Sequence, residues 1–332
     1  MTTPTTGVLD LDLYKYHAAA AGETRSVLVT HKASKREKEY KTRTEWYGDW
    51  RKKEGGALAE INKGRTSPFM WDEFEYTDIQ RPEPIDHVLH TAKVMVEKDL
   101  KLSGAKDFKA YLGEGDSFRV ELSTLLQYKD RAHLIKPLAL LEVTEYLKKK
   151  FKAEVVTEIE CDDAVVMACY KQPKNFAIIE DKDFWGCGIK VWDRNQQERG
   201  VVDCNKLGHL FLDDKGKVRG EGRMFFYFQC ASHDLTDNYK ANCFSDTKWG
   251  DKAAYKALVD CKTDQEVWCK LKEVFTLLYP EEKTVIGWRN EPINISWHYV
   301  LNEMFLMARM KRFVGDNCTA YDVMDKMGVK YD

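Results

Sequence analysis

No stretch of this chain approaches the roughly 18 consecutive apolar residues that a helix needs to cross a bilayer, so a helical membrane protein is not expected. The opening MTTPTTGVLDLDLYKY holds neither a basic segment nor an apolar core of the secretory kind, and the expected location is the cytoplasm, that of an infected host if the chain is viral. No cysteine pair has the C-x-x-C spacing. The nine cysteines are odd in number and all lie between Cys161 and Cys318, which argues against a disulfide framework and for reduced thiols serving as small core residues. Low-complexity tracts and internal repeats are absent, and Pro is scarce at 8 residues, which excludes a fibrous or disordered chain. A net charge of −2 gives no basic signature, so binding to nucleic acid would need local separation of charge.

What remains is a 332-residue chain with 43% hydrophobic and 32% charged residues, long enough for one large domain or two medium ones. Gly7 to Asp10 reads as a short buried strand, with Asp12 as N-cap of a helix running to Ala21. Ser26 to Lys53 starts as a strand, SVLVTH, and continues as a basic hairpin or arm in which Tyr40, Thr42, Thr44 and Trp46 alternate with charge. Apolar residues at helical spacing over 84–104 end at Gly104. A strand FKAYLGEGD follows, then a polar, basic stretch, a helix over about Leu138 to Phe151, and EVVTEIECDDAVVMACY, where a strand passes into a helix. FAIIEDKDFWGC and GIKVWD are strand-like. Strands alternating with helices imply an α/β fold with a mostly parallel sheet flanked by helices. From about Gly222 the pattern turns helical, through MFFYFQCAS and HDLTDNYKA to an amphipathic stretch over Ser296 to Phe313. A soft boundary near residue 230 separates 1–230 from 231–332.

Acids recur where strands end or helices begin: Asp10 and Asp12, Glu114 and Asp116, Glu160 with Asp162 and Asp163, Asp181 with Asp183, and Asp234 with Asp237. A parallel α/β sheet puts its sites at such strand ends. Carboxylates crowded together raise one another's pKa unless a cation neutralises them. Hard oxygen donors without His suit Mg²⁺ or Mn²⁺, as two ions that activate a water and hold a phosphate in an in-line displacement. Asp12 and Asp116 read as a cap and a loop acid and are left out of this set. Arg119, Lys129 and Arg131, between the second and third acidic segments, are the cations that phosphate chemistry requires. A competing metal pattern, the C-x4-H of Cys204 and His209 with the C-x2-H of Cys230 and His233, mimics a zinc site loosely.

With these residues in view, the chain resembles the bacteriophage 5′-nucleases, the flap endonuclease and 5′→3′ exonuclease family that includes the N-terminal domain of bacterial DNA polymerase. The likeness runs from Asp10 to about Ala253, interrupted by a long insertion at about 23–82. VLDLD is similar to the first metal-binding segment, LGE at Leu112 to Glu114 to the family's LGD, and SFR with Tyr128 and Lys129 to its phosphate-steering segment. ECDDAV, EDKDF and HDLTDN resemble the E-x-DD helix, the D-x-D strand end and the GD-x-x-DN motif. The resemblance implies a PIN-like catalytic domain over 1–230 and a helical, helix-three-turn-helix-like DNA-binding subdomain over 231–332. It implies metal held by Asp10, Glu114, Glu160 and Asp162, with Asp163, Asp181, Asp183, Asp234 and Asp237 completing the acidic site. Lys129, Arg119 and Arg131 would act on the phosphate.

The implied activity is cleavage of DNA at 5′ ends or flaps, and of RNA-primed DNA, by a monomer working beside replication proteins during phage-type replication. The chain departs from the family in several places. Arg131 comes one residue early, Ala132 holding the expected place, and His233 replaces a Gly. The glycine-rich hairpin that takes a K⁺ in the family keeps only Gly250, Lys252 and Ala253, leaving Lys240, Lys248 and Lys252 to supply charge to duplex DNA. Lys35, Arg36, Lys38, Lys41 and Arg43, interleaved with Tyr40, Trp46 and Tyr47, read as a single-strand contact in the insertion. Two alternatives stay open: a PIN-like ribonuclease, and a catalytically inactive nucleic-acid-binding protein.

Overall fold

The central sheet is made from the most apolar runs of the chain. In the computed structural model, which describes residues 5–49, 51–130 and 134–331, six strands run in the order Val202–Asp203, Lys190–Asp193, Asn175–Ile179, Thr6–Asp10, Asp107–Ser117 and Glu154–Glu158. All neighbours are parallel except the edge pair of Lys190–Asp193 with Val202–Asp203. Parallel strands are covered on both faces and so read as continuous hydrophobic runs. Val8 and Leu9 are fully buried, and so is the whole of Phe176–Ile179. The α/β fold with a mostly parallel sheet is therefore present. Among the described residues no helix is long and apolar enough to cross a membrane.

The chain forms two compact units. One comprises Met1–Tyr14, Met95–Ile135 and Leu147–Asp332, the other Lys15–Val94 and Lys136–Tyr146. In the first, the central strands, the Cys161–Lys171 helix, and the helices Arg223–Ala231, Asp264–Leu278 and Trp297–Ala308 contribute to one continuous apolar core. Residue 230 lies inside this unit, because Phe225, Phe226, Tyr227, Phe228 and Cys230 pack into the same core as the sheet. The helices after it bury their apolar faces there too, so no separate compact unit begins near 231.

The second unit has its own small core. Glu23–His31 pairs antiparallel with Glu37–Tyr40 on one side and with Phe74–Pro82 on the other, and Val27, Val29, Tyr40, Trp46 and Phe74 are buried together. The expected hairpin is thus present, but the alternating stretch after Tyr40 does not stay extended. Thr42 caps a short helix, Arg43–Tyr47, its hydroxyl accepting from the Glu45 amide at 3.1 Å.

Two local expectations need correction. The first helix begins at Leu11, directly at the strand end, so Asp12 lies inside its first turn rather than at the cap. Asp10 supplies the capping oxygen instead, accepting from the Asp12 amide at 2.8 Å. The helix over MFFYFQCAS stops at Ala231, and HDLTDNYK is a tight hairpin pairing His233 with Lys240 and Asp234 with Tyr239. The Asp234 carboxylate closes it by accepting from the Thr236 and Asp237 amides at 2.7 and 3.1 Å, a local alternative to helical bonding that short acids favour.

Candidate functional site

Because its strands are parallel, the sheet brings several chain segments to one edge with their C-terminal ends together. Asp10 closes the central strand and Asp12 follows one residue later. On the neighbouring strand a bulge lies between Gly113 and Ser117, and the Gly113 amide donates to the Asp12 carboxylate at 3.1 Å. A Cβ on Gly113 would sit 2.9 Å from that carboxylate, so the close approach suits glycine. The strand Glu154–Glu158 leads to Glu160, N-cap of the Cys161–Lys171 helix. Asp10, Asp12 and Cys161 present ligand-capable atoms within 4.8 Å of one another, and so do Glu160, Asp162 and Asp163. Burial and the carboxylates of Asp10 and Asp12 push the Cys161 thiol up. Burial, with Glu160 and Asp163 alongside, pushes the Asp162 carboxyl well above its ordinary range.

Glu160 is the hub of this edge. Its carboxylate accepts from the Arg119 guanidinium at 2.9 Å, from the Tyr128 hydroxyl at 3.0 Å and from the Lys129 ammonium at 2.5 Å. Tyr128 also donates to Asp237 at 3.2 Å, and Lys129 lies 3.7 Å from Asp237. Burial works against the Lys129 charge, yet Asp237 and Glu160 hold its pKa above the usual lysine range. Lys129 is left-handed at φ 50, a conformation unusual for a non-glycine residue. It is clamped there by its amide donating to the Asp237 carbonyl at 3.1 Å and by Asn238 donating to the Gln127 carbonyl at 2.9 Å.

Asp163 and Arg119 face inward. Asp163 is fully buried, and both its oxygens are occupied, accepting two bonds from Arg119 and one each from the amides of Glu160 and Lys311. Arg119, 2% exposed, also donates to the Met307 and Arg309 carbonyls.

A second cluster lies at the end of Asn175–Ile179. Asp181 accepts from the Asp183 amide at 3.0 Å. The Lys182 ammonium lies 2.8 Å from Asp183 and 2.9 Å from Asp234, and the Gln229 amide donates to Asp183 at 2.7 Å. Burial and the Asp181 charge push Asp183 up to about 7, with Lys182 opposing the shift. Burial would also raise Asp234, but Lys182 and the hairpin amides hold it below the usual range. Contacts run unbroken from Glu160 through Tyr128 and Lys129 to Asp237, and from there through Asp234 and Lys182 to Asp183.

Other expected residues fall elsewhere. Glu114 is exposed within the bulge and belongs to neither ligand-capable cluster among the described residues. Arg131 lies outside the described residues. Lys240, Lys248 and Lys252 are exposed. The Asn242 to Gly250 loop before the helix Asp251–Leu258 is pinned by Trp249 donating to the Ala231 carbonyl at 2.7 Å. Lys35, Arg36, Lys38, Lys41 and Arg43 are exposed in the second unit, with Arg43 paired to Asp78 at 2.7 Å. Cys204 and Cys230 are buried in the core, and neither they nor His209 and His233 join a metal-capable cluster among the described residues. Sequence reasoning left out Asp12, Cys161, Lys182 and Gln229. Asp12 carried a local signal as the second acid of VLDLD and Lys182 as the cation inside EDKD, whereas Cys161 and Gln229 carried none.

Asp183 gives a pH prediction. Its folded pKa, about 7, lies above an ordinary value near 4, so the folded state holds an extra proton between those limits. This contribution to stability is present at low pH and falls as pH rises through the window. A divalent cation binding here should offset the loss. Mg²⁺ is expected to raise the melting temperature at pH 8 by at least about 2–4 °C, the shift per ~1 kcal/mol in a domain of this size, and to have little effect at pH 5. Asp183→Asn should flatten that difference in differential scanning fluorimetry, and an equal Mg²⁺ effect at both pH values would count against it.

Fold and site together define an α/β protein with a carboxylate-walled edge crossed by lysine and tyrosine. No known family profile matches the chain, and no curated protein matches it by sequence. Among solved structures, a T5 protein co-crystallised with metal ions is 16% identical, over 66% of this chain and 80% of that one, with a TM-score of 0.40. A bacteriophage T5 flap endonuclease in a pseudo-enzyme-product complex with DNA and metal ions is also 16% identical, over 72% and 88%, with a TM-score of 0.43. At that degree of likeness neither assigns a residue here.

Proposed function

We propose that the chain is a divalent-metal-dependent 5′-nuclease that hydrolyses phosphodiester bonds in DNA at 5′ ends or flaps, and in RNA-primed DNA. The observation that carries this reading is the gathering of acids from separated segments around Glu160 and Asp183, with two lysine ammonium groups among them. Oxygen-rich donors with upward-shifted carboxyls fit a hard cation such as Mg²⁺ or Mn²⁺.

Asp10, Asp12, Glu160 and Asp162 would hold one ion, and Asp181, Asp183 and Asp234 a second. Bound there, the ions would neutralise the carboxylates, polarise a water and stabilise the leaving oxygen. The chain's own residues do the rest. Lys129, part-exposed beside Glu160 and Asp237, presents its ammonium to the scissile phosphate. The Tyr128 hydroxyl fixes the distance between Glu160 and Asp237. Arg119 and Asp163 are positioning residues, anchoring Glu160 from behind. Lys240, Lys248 and Lys252 would meet the duplex backbone by charge, without the K⁺ of the glycine-rich hairpin. We assign the protein to phage-type replication in the host cytoplasm, as a monomer beside other replication proteins.

The test is a flap oligonucleotide labelled at its 5′ end, incubated with the purified protein. Cleavage that needs Mg²⁺ or Mn²⁺, stops in EDTA and leaves a 5′-phosphate on the downstream strand is expected. Absence of metal-dependent cleavage on flap, nicked and RNA-primed substrates would overturn the assignment. Cleavage of RNA alone would favour a ribonuclease.

A further inference from the structure

The second unit carries a cleft that the acidic edge does not use. Its volume is about 360 Å³, inside the range of roughly 300–1,000 Å³ typical of small-ligand sites. Aromatic rings line it, with His31, Phe69 and Phe74 mutually in contact at centroid distances of 4.9–5.8 Å. Trp46 forms a deeper wall, its indole N–H already satisfied by the Tyr76 hydroxyl at 3.2 Å. Arg36 and Lys38 stand exposed on the rim.

The charge around the cleft differs from that of the chain as a whole. From Lys32 to Arg65 there are eleven Lys and Arg against six Asp and Glu, in a protein whose net charge is −2. Lys38 lies 5.1 Å from the Tyr40 ring centroid, and the Arg65 guanidinium 4.0 Å from that of Phe69. Aromatic faces supply stacking that every base can use, and cations beside them track a phosphate backbone. In a duplex the base faces are already stacked on each other, so the complementary ligand is a base out of the stack.

We propose that this cleft holds an unstacked nucleobase of single-stranded nucleic acid, with Arg36 and Lys38 meeting the adjoining phosphates and Phe69 offering the stacking face. This rests on the nucleic-acid substrate proposed above, but it needs neither metal nor cleavage. Phe69 suits substitution because its backbone is held independently of its ring. Its amide donates to the Asn62 side chain at 2.7 Å, and its carbonyl accepts from the same side chain at 2.9 Å.

The experiment is fluorescence anisotropy with the full chain carrying Asp162→Asn, in EDTA, so that loss of nuclease activity leaves the readout intact. The probes are a labelled oligothymidine, an abasic strand of the same length and a blunt duplex. Oligothymidine is expected to bind at least about fivefold more tightly than the abasic strand. Phe69→Leu should remove that preference and Phe69→Tyr should keep it. The double variant Arg36→Ala, Lys38→Ala, whose side chains are exposed and therefore leave folding intact, should weaken both single strands and reduce the dependence on salt. Equal affinity for base-bearing and abasic strands would overturn the proposal. So would a Phe69→Leu protein that keeps the preference, binding of the duplex as tightly as oligothymidine, or no single-strand binding at all, the last leaving the cleft to a peptide.

Discussion

Asp162→Asn is expected to reduce Mg²⁺-dependent flap cleavage by at least about a hundredfold while leaving the fold intact. Asp162 opens the helix that follows Glu160 and is pushed upward by burial and by Glu160 and Asp163. In the proposed role its charge is needed to hold the ion. Charge stabilisation by a bound ion amounts to several kcal/mol in the transition state, and ~1.4 kcal/mol is a factor of ten in rate. Asn keeps the side chain's size and an oxygen that can accept from the Asp163 amide, as Asp162 does at 2.8 Å. Removing one of several crowded charges should leave stability unchanged or raise it in the absence of metal. Single-turnover cleavage and a melting curve separate the two effects. Undiminished cleavage, or a loss matched by unfolding, would remove Asp162 from the metal set.

Arg119→Ala is expected to destabilise the protein by about 3–5 kcal/mol, the range seen when one partner of a buried ion pair is removed. The substitution would leave Asp163 charged at a fully buried position with two of its four hydrogen bonds missing, and would free the carbonyls of Met307 and Arg309. Arg119→Lys should rescue little, since an ammonium cannot reproduce the planar, two-pronged pairing with a carboxylate. Urea denaturation measures the effect. The resemblance implies a place for Arg119 at the phosphate, whereas the proposal, given its burial and its pairing with Asp163, treats it as a positioning residue. A variant of unchanged stability with weakened substrate binding would restore the first role.

That pair shows where sequence reading stops. The acids were legible because apolar strands ended in them, and parallel strands must bring those ends together. That Asp163 turns inward was not legible, because its partner is 44 residues away and nothing local distinguishes it from Asp162. Asp12 read as a helix cap because an Asp between strand and helix usually is one, and only the helix starting at Leu11 makes Asp10 the cap and brings Asp12 beside Cys161. Lys182 sat in plain view within EDKD, but its reach to Asp234 depends on a hairpin that looked helical. In the second unit, SVLVTH announced one strand clearly. Its partner Phe74–Pro82 is studded with charge and ends in Pro, so that strand became visible only through its pairing.

Crystals soaked in Mn²⁺ and measured at its absorption edge test the central claim most directly. Anomalous density is expected among Asp10, Asp12, Glu160 and Asp162, with a second peak near Asp181, Asp183 and Asp234 and the Lys182 ammonium displaced from between them. Crystals that bind Mn²⁺ only at scattered surface carboxylates, with Lys182 still bridging Asp183 and Asp234, would contradict the metal-dependent nuclease.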